Sequence, residues 1–193
     1  MEDAIRLLSE PQITRELFRY FNRRQEVTKC WRKDQGIWML KEEHFVEDWS
    51  EAQYQFLVEC LKNTVNTGGI VLGAFVQEKL MGFASVESRR FGSERQYVQL
   101  SCIHVSCESR GLGFGKKLFQ YASFGARRLG AEKLYISAHP AQETQAFYHA
   151  LGCVEAGEYD GDLASSGDCQ LECLLNQESK RNMTDRENIK RNV

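Results

Sequence analysis

The 193-residue chain has little proline, no strong excess of either charge and no long apolar run. Its formal net charge of -2 excludes the broad positive field with which proteins attract nucleic acid or an anionic membrane, so we expect neither as a partner. Because no stretch of 18 apolar residues occurs, the sequence predicts no membrane-spanning helix. The acid-containing start MEDAIRLLSEPQ does not resemble a secretory signal either.

The sequence also lacks any Cys-x-x-Cys pair, and its seven cysteines are an odd number. Most of them stand in apolar stretches, which is typical of buried, reduced thiols. A disulfide framework and a metal site are the weaker alternatives. We therefore expect a cytoplasmic protein without a bound metal.

The composition is that of a soluble globular protein, with 42% hydrophobic and 27% charged residues. The length suits one substantial domain, which we assign to residues 1–175. Residues 176–193 have only three apolar side chains, too few to order the segment by burial, so we interpret them as a flexible polar tail.

The hydrophobic pattern divides the domain into an N-terminal helical part and a later block of strands. It predicts a strand at 4–9, a helical stretch after Pro11 and a helix at 51–66, whereas 23–49 shows no clean period. Further strands are expected at 69–77, 80–91, 95–106, 133–139, 153–159 and 168–175. Helices are expected at 113–129 and 141–152, which makes an α/β order with a local parallel crossover.

The stretch ESRGLGFGKKLF combines closely spaced glycines with the start of an amphipathic helix. It lacks the third glycine of a dinucleotide fingerprint and the first glycine of a P-loop, but it matches the pattern Arg-x-x-Gly-x-Gly. Bare glycine backbone lets N–H groups approach an anion, and a helix N-terminus adds unpaired donors and partial positive charge. The predicted pyrophosphate cradle consists of Arg110, Gly111, Leu112, Gly113, Phe114, Gly115 and Lys116. A glycine-rich helix start without a ligand is the alternative.

This loop, followed about 35 residues later by AFYHALG, resembles the GNAT superfamily of acyl-CoA-dependent N-acyltransferases. The resemblance covers roughly residues 68–175. It implies an α/β (α+β) fold with a mixed, mainly antiparallel sheet of about seven strands flanked by helices. It also implies acetyl-CoA as co-substrate, held by the glycine loop and by the backbone of a splayed strand. The matching residues on that strand and the later helix are Ile103, His104, Val105, Thr144 and Tyr148.

The resemblance gives Tyr148 the role of the acid that protonates the departing thiolate. A positioned phenol can act in this way, although a packing role on the helix would fit the same pattern. Backbone N–H groups near Val105 are expected to polarise the thioester carbonyl. A lysine-like amine is neutral in only roughly one molecule in 10³ at pH 7, so its deprotonation costs about 4 kcal/mol unless the site helps.

The general base is not evident from the sequence. Two positions where family members often carry a base hold Gln99 and Ser101 here, which are poor bases. His104 has the opposite parity on that strand and should point away unless a bulge intervenes, and His139 is a second candidate. A water relayed through Gln99 and Ser101, or an acceptor that arrives neutral, remains open.

The acceptor side is expected to come from an insertion at residues 24–50, where the resemblance places the cover of this site. Its aromatic and acidic side chains could hold a cationic amine, although a solvated acidic face over an aromatic cluster is the alternative. The candidate acceptor residues are Trp38, Glu42, Phe45, Gln99 and Ser101.

The predicted function is transfer of an acetyl group from acetyl-CoA to a primary amine of a small cationic molecule, by direct attack in a ternary complex. A protein N-terminus or lysine is the alternative acceptor. A non-catalytic acyl-CoA-binding module is the alternative from another class, and a homodimer is left open.

Overall fold

The computed structural model describes residues 4–163 and 168–175, and within these ranges the chain forms nine strands and three α-helices. The strands, labelled β1 to β9 in chain order, are Ala4–Leu7, Gln25–Asp34, Ile37–Glu47, Ile70–Val76, Lys79–Val86, Tyr97–Val105, Lys133–Ala138, Val154–Glu155 and Cys169–Leu174. The helices, labelled α1 to α3, are Glu51–Asn66, Phe114–Arg128 and Gln142–Ala150. The tail predicted at 176–193 lies outside the described residues.

Seven of the strands form one sheet in the order β1-β4-β5-β6-β7-β9-β8. Every neighbouring pair is antiparallel except β6 and β7, which are parallel and are connected through α2. A parallel pair needs such a crossover, because its second strand must start again at the same end of the sheet. The predicted mixed, mainly antiparallel sheet of about seven strands is confirmed.

Each face of this sheet carries its own hydrophobic core. Helices α2 and α3 pack on one face against alternate residues of the central strands, for example Leu118 against Ala84 and Val98. On the other face, α1 packs against β4 and β5, with Leu61 and Phe83 in its core. The helix stripe and the strand alternation seen in the sequence therefore correspond to these two layers.

The helix ends follow local sequence signals. Ser50 caps α1 in a reciprocal capping box with Gln53, and the helix then covers the predicted span of 51–66. Helix α2 begins directly after Gly113, whose φ is +88°, and Gly130, with a φ of +82°, follows its end. Gly113, in its left-handed conformation, therefore both ends the loop and starts the first turn of α2.

The segment 23–49, which had no clear period, forms a long hairpin of β2 and β3 outside the main sheet. Its two-residue turn consists of Gln35 and Gly36, both with positive φ, which matches the natural twist of a hairpin. The hairpin is anchored by a backbone hydrogen bond of 2.8 Å from Trp31 to Pro140, just beyond the end of β7. The alternation of apolar and polar residues that usually marks a strand is missing from this segment, because much of β3 is exposed on both faces.

Two other sequence expectations need correction. The helix expected after Pro11 is replaced by two short 3-10 turns, Glu10–Gln12 and Arg15–Phe18, which place Phe18 in the α1-side core. The strand expected at 153–159 is only Val154–Glu155. Of the residues described, none belongs to a helix that combines the length and apolarity needed to cross a membrane. All seven cysteines are free, and four of them are buried.

Candidate functional site

The central parallel pair of strands separates along its length. Strands β6 and β7 are paired only from Tyr97 to Gln99 on the first strand. Beyond this point β6 stays paired with β5 as far as Val105, whereas β7 stays paired with β9 as far as Ala138. The facing backbone edges of β6 and β7 are therefore released from each other, which is the splay that the family resemblance implied.

A one-residue bulge stands where the splay begins. Val86 of β5 pairs with Leu100 and Ser85 with Cys102, so Ser101 is the extra residue. Beyond the bulge, the alternation of side chains between the two faces of the sheet is shifted by one residue. As a consequence, Gln99, Cys102 and His104 all point to the face that α1 covers. The expectation that His104 points away held only for a strand without a bulge, and the bulge at Ser101 places His104 on the same face as Gln99.

A groove of about 770 Å³ follows the splay. Its lining combines the glycine loop and α3 with β6 and with residues that precede or begin β2. The lining residues predicted from the sequence are Ser101, Ile103, His104, Val105, Arg110, Gly111, Gly113, Phe114, Gly115, Lys116, Thr144 and Tyr148. The structure therefore brings together nearly all residues expected to bind acetyl-CoA.

The glycine loop leaves open backbone at the start of α2. Gly111 and Gly113 have φ values of +78° and +88°, and a Cβ added to either would meet no heavy atom within 4 Å. By contrast, a Cβ on Gly115 would come within 3.0 Å of the Phe147 ring. The first two glycines thus permit the turn and leave space beside the helix N-terminus, while the third permits close packing of α2 against α3.

The side chain of Arg110 holds the glycine loop against neighbouring backbone. Its guanidinium donates hydrogen bonds to two backbone carbonyl oxygens, Val105 O at 3.2 Å and Arg23 O at 3.0 Å. It thereby ties the loop to the end of β6 and to the segment that enters the hairpin. Lys116 is exposed on the first turn of α2, and Leu112 is exposed in the loop.

Tyr148 projects from α3 towards the groove and is only 6% exposed. Its ring makes edge contacts with Phe119 and Phe147, and Thr144 lies one helical turn before it. Burial, with smaller contributions from Cys153 and Cys102, raises the pKa of the Tyr148 phenol far above its ordinary value. The phenol therefore holds its proton across the physiological pH range.

His104 is an aromatic packing residue on the α1 face. Its ring lies 4.9 Å from that of Trp49 and 5.4 Å from that of Phe83, measured between centroids. Desolvation, together with the charges of Arg23 and Arg110, lowers the pKa of His104 to about 3. The imidazole is therefore neutral at pH 7, and its surroundings oppose the protonation that a base must undergo.

His139 also lines the groove, but both of its ring nitrogens have partners. Nδ1 accepts a hydrogen bond of 3.1 Å from the backbone N–H of Ala141, and Nε2 lies 3.3 Å from a carboxylate oxygen of Glu47. Glu47 in turn binds the buried Arg23 at 2.5 Å. This arrangement fixes the imidazole to the hairpin and leaves neither nitrogen placed to accept a proton from an amine.

The candidate acceptor residues on the hairpin are dispersed. Trp38 lines a separate cavity of about 200 Å³ and donates to Glu155 at 3.3 Å, and Glu42 is exposed. Phe45 contacts the His139 ring with 5.9 Å between centroids. None of these three side chains lines the groove, although Ser101 does and Gln99 lies on the strand just before it.

The carboxylates that do line the groove are Glu26, Glu143 and Asp168. Asp168 accepts a hydrogen bond of 2.8 Å from Ser137 on β7. Glu26 lies within the segment 24–50 predicted for the acceptor side, but it was not among the candidate residues named from the sequence. Asp168 was missed because it reaches the groove only through the pairing of β7 with β9, which no local pattern reveals.

Comparison with known proteins agrees with this geometry. The sequence model of the Acetyltransferase (GNAT) family matches residues 20–153, whereas no curated protein matches the chain. A nourseothricin acetyltransferase structure has a TM-score of 0.68 at 16% identity, covering 91% of this chain and 100% of that one. A Bacillus anthracis str. Ames protein in complex with acetyl coenzyme A gives 0.65 at 17% identity, covering 89% and 96%. Aminoglycoside 6'-N-acetyltransferase complexed with coenzyme A gives 0.52 at 15%, covering 67% and 83%.

Proposed function

From the premise that this chain belongs to the GNAT acetyltransferase family, we propose that it moves the acetyl group of acetyl-CoA to a primary amine of a small cationic molecule. The observation that carries the proposal is the groove through the splayed sheet. Its lining includes the glycine loop and Tyr148 as well as the carboxylates Glu26 and Asp168. Co-substrate and acceptor can thus meet in one groove, as direct attack requires.

The glycine loop supplies the features that a pyrophosphate needs. The open space beside Gly111 and Gly113 lets an anion approach the backbone N–H groups at the start of α2. Lys116 adds an exposed cation on the same turn. The unpaired edge of β6 beyond Gln99 offers backbone donors and acceptors to the amide groups of a pantetheine arm.

Tyr148 supports catalysis rather than binding alone. Its phenol lies in the groove and retains its proton, so it is suited to donate that proton to the thiolate as the C–S bond breaks. Backbone N–H groups near Val105 would stabilise the oxyanion of the tetrahedral intermediate. A module that only binds acyl-CoA would have no need of a positioned acid.

The acceptor side favours a small cation. Glu26 and Asp168 line the groove, and the hairpin bounds this region through its link from Trp31 to Pro140. Two similar structures carry names that give nourseothricin and an aminoglycoside as acceptors. Both observations support a compact amine over an extended protein segment.

A thiol-release screen tests the proposal. The full chain is incubated with acetyl-CoA and separately with nourseothricin, kanamycin, spermidine and a short peptide with a free N-terminus, and free thiol is followed with a chromogenic disulfide. We expect thiol release and a mass gain of one acetyl group for at least one small polyamine. Turnover of the peptide alone would refute the acceptor class, and binding of acetyl-CoA without turnover of any amine would refute the enzymatic function.

A further inference from the structure

A carboxylate that does not itself line the groove is hydrogen-bonded to Ser101, which does. Glu87 follows the last residue of β5, and its backbone N–H donates to Gln99 O at 2.9 Å. Its Oε1 atom accepts hydrogen bonds from Ser101 Oγ at 2.6 Å and from Thr64 Oγ1 at 2.8 Å. Glu87 itself is half-buried, whereas Ser101 is exposed in the groove.

The hydrogen bonds around Ser101 have a definite direction. Because Ser101 donates its only hydroxyl proton to Glu87, its contact of 2.8 Å with the buried Ser85 hydroxyl must be one that Ser85 donates. One lone pair of Ser101 Oγ then remains. The bulge turns this exposed hydroxyl into the groove at the point where β6 leaves β7.

We propose that Ser101 and Glu87 form a proton relay that takes the proton from the attacking amine, a role that rests on the acetyltransferase function proposed above. The bound amine arrives as an ammonium ion; its N–H bond breaks and the proton passes to Ser101 Oγ, which frees the nitrogen lone pair to attack the thioester carbon. The Ser101 O–H bond breaks at the same time, and that proton passes to Glu87. The proton leaves Glu87 for solvent through the same serine after the product departs.

The groups around Glu87 are compatible with this role. Two thiols interact with it electrostatically, Cys60 from α1 and Cys102 from β6. Burial raises the pKa of both, that of Cys102 to about 11, so neither changes charge between pH 6 and 9 by itself. Glu87 is therefore the carboxylate of this cluster, and it receives hydrogen bonds from both Ser101 and Thr64.

Glu87→Gln is the test, because glutamine keeps an acceptor oxygen for Ser101 and Thr64 but loses the basic carboxylate. With the panel amine that is turned over fastest, we expect kcat at pH 7 to fall by about 10²–10⁴-fold, the usual range for a general base. The loss should shrink steadily towards pH 9, as more amine is neutral in solution. It should nearly vanish with methoxyamine, which arrives neutral.

Two further variants make the result specific. Ser101→Ala should reproduce the altered pH profile, since it interrupts the relay before Glu87. Glu158→Gln is a matched control, because Glu158 accepts a bond of 2.6 Å from the hydroxyl of Ser93, which unlike Ser101 does not line the groove, and it should keep the wild-type profile. A wild-type profile in Glu87→Gln, a loss equally large for methoxyamine, or an unaffected Ser101→Ala would overturn the relay. Absence of any turnover by the wild-type protein would instead refute the proposed function.

Discussion

Replacement of Gly113 by alanine separates coenzyme A binding from fold stability. At this position φ is +88°, and an added Cβ would meet no heavy atom within 4 Å. The cost to the fold is therefore that of a left-handed alanine, about 1–2 kcal/mol. In a protein of this size about 1 kcal/mol shifts the melting temperature by roughly 2–4 °C, so we expect a fall of about 2–8 °C in a folded variant.

The effect on acetyl-CoA should be larger than the effect on the fold. The new methyl group would stand in the open space through which an anion reaches the first N–H groups of α2. A hydrogen bond to a charged group contributes about 1.5–3 kcal/mol, so each bond lost should raise the dissociation constant by roughly ten- to a hundredfold. Isothermal titration calorimetry with acetyl-CoA measures this constant directly.

Gly36 offers a matched control at the tip of the β2–β3 hairpin. Its φ is +84°, and a Cβ there would also meet nothing within 4 Å. Gly36→Ala should thus lower the melting temperature by a similar amount and leave the affinity for acetyl-CoA unchanged. Equal affinities in the two variants would refute the assignment of the glycine loop as the cradle.

Three other predictions concern the acid, the acceptor and pH. Tyr148→Phe removes the proton but keeps the ring, so kcat should fall by about 10²–10⁴-fold with little change in acetyl-CoA affinity; a full-rate variant would make Tyr148 a packing residue. Glu26→Gln with Asp168→Asn should raise the acceptor KM, most strongly at low salt, and leave the KM of acetyl-CoA alone; steady-state kinetics decides this. Because the pKa of His104 is lowered to about 3, the unfolded chain binds a proton there that the folded chain excludes. The free energy of unfolding should therefore decrease as the pH falls from about 6.5 towards 3, and urea titration should find a smaller decrease in His104→Asn.

Local patterns were sufficient to predict most of the sheet, α1 and the glycine loop. The stripe that includes Leu57 and Leu61 and the capping serine determine α1 within the chain segment itself. The loop is similarly local, since Gly113 and Gly115 act on the backbone of their own turn. The hairpin was not predicted because its strands are held mainly by each other and expose side chains on both faces, so no periodic burial marks them.

The proposed acceptor side could not be predicted residue by residue, because the residues assigned to it meet only through long-range pairing. Glu87 and Ser101 come together through the register of β5 with β6, and the decisive bulge leaves no mark in composition. Asp168 depends in the same way on the pairing of β7 with β9. The orientation of His104 was left conditional on a bulge for this reason, since the sequence does not show whether one is present.

The short pairing between β6 and β7 also divides the sheet mechanically. Three register pairs form the ladder that joins the four-stranded plate β1-β4-β5-β6 to the three-stranded plate β7-β9-β8 in the described part of the chain. Among the described strands only the edge strand β8 is held by fewer register pairs, so this seam is the shortest ladder between inner strands, and rotation about it would widen or narrow the groove without breaking either plate. Amide protons of Val98 and Tyr135 along the seam should therefore exchange with deuterium sooner than those at the centre of either plate, and a molecule that bridges the two plates should slow them.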